Sequence, residues 1–224
     1  MRIALLLATS ALVAACSTTT DGTAAREQSL AIPPLTSSSA PGTPSTPAAR
    51  SSAPAAGTAI ADVITWVEAG RPVDTAAFRS ATRDGTTTDL GQDVAFVSGD
   101  ANCMTDHRFG GALACLVDLA DPPPQPTEVY GQWKGNWVDF EGPTAEVGSV
   151  HGDPGRFGSG TGAELAAGQT LAFGDYRCRD DAAGVYCVNY AHGSALKLSG
   201  DGIEVFGCLQ QVTPPADVGV KYGC

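Results

Sequence analysis

Apolar residues at Ile60, Val63, Ile64 and Val67 recur at i, i+3, i+4 and i+7, the spacing of one face of an α-helix. Gly70 and Pro72 stop that helix. A second short helix is predicted to follow, with Asp74 as its cap, Phe78 and Ala81 inward and Gly85 beyond its end. After Gly85 the texture changes. Apolar runs become short, and Gly and Pro separate them. Val94–Val97, Ala112–Leu119, Trp137–Phe140, Leu171–Phe173, Val185–Tyr190, Ala195–Leu198 and Ile203–Phe206 read as strands bounded by turn residues. Ser199-Gly200-Asp201-Gly202 joins the last two as a hairpin. Short N-terminal helices followed by antiparallel β-hairpins predict an α+β, mainly β fold.

The pattern repeats. Ala95-Phe96 leads to Gly99-Asp100-Ala101-Asn102-Cys103, a turn, and Cys115-Leu116-Val117. Ala172-Phe173 leads to Gly174-Asp175-Tyr176-Arg177-Cys178, a turn, and Cys187-Val188-Asn189. Each copy (94–118 and 171–190) reads strand, Gly-Asp-x-x-Cys, turn, Cys, strand. Facing Cβ atoms of paired strands lie about 4.5–5.5 Å apart, near the separation a disulfide spans. Cys103 is therefore paired with Cys115 and Cys178 with Cys187, which leaves Cys208 for Cys224. Six cysteines allow 15 pairings, so this one rests on spacing and repeat.

The first 15 residues carry Arg2 and then an apolar or small run to Ala15, the length of a signal-peptide core and too short for a transmembrane helix. The run ends Leu12-Val13-Ala14-Ala15-Cys16, which resembles the bacterial lipobox. The resemblance implies a lipid on Cys16 and anchoring to the outer face of the cytoplasmic membrane. Removing Cys16 leaves an even set of cysteines, as expected of an exported chain in an oxidising compartment. Residues 16–58 are rich in Ser, Thr, Ala and Pro and too poor in apolar surface to fold, so they read as a disordered tether. A single exported domain is expected over 59–224. The formal net charge of −11 excludes nucleic acid and anionic lipid surfaces as direct partners.

The run from Gly174 to Arg179, with Gly184 to His192, Ser199 and Phe206, resembles a cysteine-hairpin domain of secreted actinobacterial proteins. The whole chain resembles uncharacterised mycobacterial lipoproteins in its lipobox, its Pro-rich tether and the segment from Val94 to Cys208. That resemblance implies a cell-envelope location and secreted disulfides, and no particular activity.

Candidate chemistry is sparse. Tyr130, Trp133, Lys134 and Trp137 form an aromatic, Gly-flanked cluster that could stack on a sugar, although core and rim packing is the commoner fate of such residues. Asp139 and Glu141 stand on one face of a strand, with Glu146 and Asp153 near in sequence, and paired carboxylates suit glycoside hydrolysis. His107, His151 and His192 show no metal-ligand spacing, and there is no C-x-x-C, so no metal or redox cofactor is expected. Ser194 lacks a nucleophile elbow. The Gly-rich stretch 152–162 lacks the lysine of a phosphate loop and reads as a long mobile loop, a candidate wall of a ligand site. No catalytic residue or cofactor is assigned. The reading that follows is a non-catalytic envelope lipoprotein binding a cell-wall glycan or an envelope protein. Its rival is a glycan hydrolase using carboxylates near Asp139 and Glu141.

Overall fold

A computed structural model describes residues 52–152 and 155–224. The stretch read as a signal peptide (1–15), Cys16, the stretch read as a tether up to residue 51, and Asp153 and Pro154 lie outside the described residues. Helix α1, Ile60–Glu68, forms where the periodicity places it and buries Val63, Trp66 and Val67. It is the one α-helix among the described residues, and no described helix is long and apolar enough to cross a membrane.

The second predicted helix does not form. A two-residue strand β1, Arg71–Pro72, is followed by a single 3-10 turn, Thr75–Phe78, which Asp74 caps by accepting from the Ala76 N–H at 3.0 Å. The chain then makes a hairpin of β2, Ser80–Arg83, and β3, Thr86–Asp89. Asp84 and Gly85 are its two turn residues, with φ of 50° and 78°. Asp-Gly is a strong hairpin signal, and β-branched threonines fill the arms, so turn chemistry outweighs the helical spacing of Phe78 and Ala81.

Two antiparallel meanders make up the body. The first contains β4 (Ala95–Ser98), β5 (Ala101–Thr105), β6 (Leu113–Val117), β7 (Trp133–Phe140) and β8 (Thr144–Val150). A short strand β9, Ala163–Glu164, leads into the second: β10 (Gln169–Phe173), β11 (Tyr176–Asp181), β12 (Gly184–Asn189), β13 (Ser194–Ser199) and β14 (Gly202–Gly207). The leading strands are exchanged. β1 pairs parallel with β10 of the second meander, and β9 pairs parallel with β4 of the first. The chain ends in β15 (Gln210–Val212) and β16 (Val218–Gly223), which extend the first sheet beyond β8. The fold is thus mostly β, with the repeat seen in sequence enlarged to five strands per copy.

The two sheets pack face to face. Phe96, Cys103, Leu113, Cys115, Val138 and Phe140 of one share a core with Leu171, Cys178, Val185, Cys187 and Leu196 of the other. Three disulfides pair Cys103 with Cys115, Cys178 with Cys187, and Cys208 with Cys224. In each of the first two, the bonded residues face each other directly across adjacent strands. Helix α1 covers the outer face of the second sheet over Tyr186, Val188, Ala195 and Phe206. The β2–β3 hairpin and a 3-10 segment, Gly155–Ser159, cover the outer face of the first through Ala81 and Phe157.

Two sequence boundaries shift. Residues 52–58, assigned to the tether, belong to the folded body. Pro54 is buried and its carbonyl accepts the Tyr186 hydroxyl at 2.8 Å, while Ala53 packs beside α1. The end of the Gly-rich stretch, Gly160 to Gly162, is packed down rather than loose. A Cβ on Gly162 would lie 1.9 Å from the Ala95 carbonyl oxygen, so glycine is what lets the chain reach its parallel pairing with β4.

Candidate functional site

A cleft of about 650 Å³ opens at one end of the sandwich. Five connections converge there: the β3–β4 connection, the β5–β6 loop, the β7–β8 turn, the β10–β11 turn and the β12–β13 turn. The first copy contributes Asp93, His107, Phe109 and Glu141, and the second contributes Phe173, Asp175, Asn189 and His192. The floor is aromatic. Phe173 stacks on Tyr176 at 5.6 Å, and Tyr176 meets Phe140 edge-on while donating its hydroxyl to the Phe140 carbonyl at 2.7 Å. Phe109 stands at the rim, 58% exposed, at the end of a 3-10 turn that Gly110 closes with φ of 76°. Arg156 lies over its ring at 4.8 Å.

Asp93, Asp106 and His107 bring three potential metal ligands within 4.8 Å of one another. Each carboxylate is already engaged by protein donors. Asp93 Oδ1 accepts from the Thr105 hydroxyl and the His107 N–H, and its Oδ2 meets His107 Nδ1 at 2.6 Å. Asp106 is held by Arg108 through Nε and Nη2, and that pairing draws its carboxyl below the usual range. The arrangement is a hydrogen-bond network that orients the His107 ring in the cleft.

The aromatic cluster predicted as a stacking platform is taken apart by the fold. Trp137 is only 2% exposed, with Phe157 edge-on at 5.0 Å and the His151 ring stacked at 3.7 Å. Trp133 is half-buried and donates from Nε1 to the Pro123 carbonyl at 2.9 Å. Lys134 is half-buried beside it, and Tyr130 alone is widely exposed. A register shift between Lys134 and Val138 puts the two tryptophans into different packing environments, which an unbroken alternation in sequence does not reveal.

Asp139 and Glu141 also part company. Asp139 lies on the outer face of the first sheet, whereas Glu141 lies beyond the end of β7, exposed, and lines the cleft. Asp139 Oδ2 accepts from Trp137 Nε1 at 2.9 Å, and its buried Oδ1 has no hydrogen-bond partner, with Arg156 Nη2 3.6 Å away. Burial raises the Asp139 carboxyl above its usual range, against the pull of Arg156 and Trp137. Ser149, His151 and Asp139 supply the residue types of a hydrolytic triad, but not its wiring. The Ser149 hydroxyl meets His151 Nε2 at 2.7 Å, and Asp139 Oδ2 approaches that same nitrogen at 3.7 Å. A triad needs its carboxylate on the opposite ring nitrogen. Burial, with Arg156 and Lys134 nearby, also lowers His151 to about 4, which leaves a weak base. Ser194 is fully buried and donates to the Gly142 carbonyl at 2.6 Å. Gly152, Gly155 and Arg156 of the Gly-rich stretch do form a wall, together with Trp137 and His151, of a second cavity beside the first.

Comparison with known protein families, curated proteins and solved structures finds no match. The cleft therefore has to be read from its own geometry. Of the residues weighed for chemistry in the sequence, Glu141 lines it, and so do His107 and His192, whose spacing gave no metal site. Asp175 and Phe109 were not singled out, although the first stood in plain view as the Asp of the second Gly-Asp turn.

Proposed function

We propose that the chain is a binding lipoprotein of the cell envelope, tethered through lipid on Cys16, and that its ligand, a cell-wall glycan, sits in the end cleft. The observation that carries this reading is the cleft itself. It has the size of a ligand site, an aromatic floor and rim, and hydrogen-bonding side chains of both repeats turned towards it, the combination that recognises sugar rings. The lipobox-like run ending in Cys16 supports the location. Binding is favoured over hydrolysis because Asp139 and Glu141 do not line a common cavity.

Retention on purified wall glycan tests the reading. The native chain should be retained; a Phe109→Ala, Glu141→Gln double variant should be released, and Asp139→Asn should behave as native. Cys16→Ser should lose lipid labelling in cells. Release of soluble glycan fragments by the native chain, abolished in Asp139→Asn, would establish the hydrolase instead.

A further inference from the structure

The repeat supplies an internal control for the cleft. In both copies a Gly-Asp turn joins the first two strands of the meander, with Gly99 and Gly174 at φ of 51° and 47°. The backbones are used alike: the Asp100 carbonyl accepts from Asp118 N at 2.8 Å, and the Asp175 carbonyl from Tyr190 N at 2.9 Å. The side chains diverge. Asp100 Oδ2 accepts the Gly200 N–H at 2.9 Å, and the Gly200 carbonyl accepts from Ala120 N at 2.9 Å. The Ser98 hydroxyl donates to Asp180 between the same two sheets at 2.5 Å. That end of the sandwich is clasped shut.

The cross-strand registers identify the opposite member of the clasp in each copy. Val138 stands opposite Cys115 as Leu196 stands opposite Cys187, and Asp139 faces Glu146 as Lys197 faces Glu204. Gly142, in the β7–β8 turn, is therefore the counterpart of Gly200. A clasp between Asp175 and Gly142 is missing. Asn189 and His192 occupy the space beside Gly142, 2.8 and 2.5 Å from where a Cβ would stand. The Asp175 carboxylate is left exposed at the cleft, with no hydrogen-bond or ion-pair partner among the described residues. Glu141 also lines the cleft, and no Lys or Arg does. The ring of Phe173 adds an aromatic wall, while the face of Phe109 already carries the Arg156 guanidinium at 4.8 Å.

We propose that the cleft recognises its ligand through an ammonium group, and that Asp175, released from the clasp its twin still makes, is the carboxylate that receives it. This rests on the cleft being the ligand site. Two sources carry that chemistry in a wall: an amino sugar without its acetyl group, and the free amine of a wall peptide.

The full chain should be titrated calorimetrically with a glucosamine tetramer, the N-acetylated tetramer and a lysyl dipeptide, alongside Asp175→Asn, Asp175→Glu and Asp100→Ala. A charge-assisted contact of this kind predicts that Asp175→Asn weakens the amine-bearing probe by about tenfold to a hundredfold. Asp175→Glu should restore much of the binding, and the acetylated probe should not register either change. Asp100→Ala should bind as native but melt at a lower temperature. An Asp175 dependence for the lysyl dipeptide alone would support ammonium recognition and place its source in wall peptide. Acetylated and amine probes bound equally, both indifferent to Asp175→Asn, would overturn the ammonium assignment while leaving a glycan cleft. Failure of every probe to bind would overturn both.

Discussion

Single residues show how two copies of one pattern diverge. Lys197 in the second copy reaches its cross-strand neighbour Glu204 at 2.7 Å. The first copy has Asp139 at the matching position, so Glu146 turns instead to Lys221 of β16 at 2.6 Å. Asp139 is left to Trp137 and the more distant Arg156, with His151 packed over the indole. This cluster makes stability depend on pH in a calculable direction. His151 titrates at about 4 when folded, against 6.5 when free. Between those values the unfolded chain binds the proton and the folded chain does not, so stability falls as pH drops from 6.5 to about 4 and then levels. The loss from this group is about 3 kcal/mol. Asp139 works the other way, because its raised carboxyl takes up a proton on acidification more readily when folded. Urea melts at a series of pH values should therefore show a slope in that window that His151→Gln removes. A slope of native steepness in His151→Gln would mean that another group carries it.

At the scale of elements, legibility followed locality. Helix α1 and the repeat hairpins were readable because their signals lie within a few residues: 3.6-residue spacing, Gly-Asp turns and paired cysteines. Strands β8 and β16 were missed, since Thr144–Val150 and Val218–Gly223 include glycines and charged side chains, and they become strands by extending a sheet already formed. The β2–β3 hairpin was taken for a helix because Phe78 and Ala81 fit both readings, and the Asp84-Gly85 turn was not weighed. Of the candidate site, Glu141 was visible; the cleft was not, because it is built by five connections far apart in sequence. Gly160 and Gly162 are not mobile for a related reason: their role depends on what they touch. Gly162→Ala should test that role. With Ala95 backbone 1.9 Å from the new Cβ, β9 must move off β4, at a cost of about 1–3 kcal/mol, read as a lower urea midpoint. The same change at Gly168, where a Cβ would meet nothing within 4 Å but φ is 75°, should cost only backbone strain, about 1 kcal/mol. Equal effects at the two sites would remove close approach as the reason for Gly162.

For the whole molecule, duplication explains both what is closed and what is open. Two meanders share a core, exchange their leading strands β1 and β9, and clasp at one end through Asp100, while the other end is left as a cleft. The layer over the second sheet is completed from outside the repeat, by α1 and the residues just before it. Pro54 closes over Tyr186, which is 1% exposed and has its hydroxyl proton pushed up to about 12 by burial. That hydroxyl has one acceptor there, the Pro54 carbonyl at 2.8 Å. A chain beginning at Ala59 removes the acceptor and uncovers the ring, so it should be less stable than a chain beginning at Ser52. Losing that hydrogen bond costs about 0.5–1.5 kcal/mol in addition to the apolar cover lost from the ring, and denaturant unfolding resolves a difference of that size. Tyr186→Phe separates the causes. With no hydroxyl to satisfy, the same truncation should cost less in Tyr186→Phe than in the native sequence, the difference being the coupling between the two groups. Equal stability of the two native-sequence chains would return residues 52–58 to the tether and set the domain boundary at Ala59.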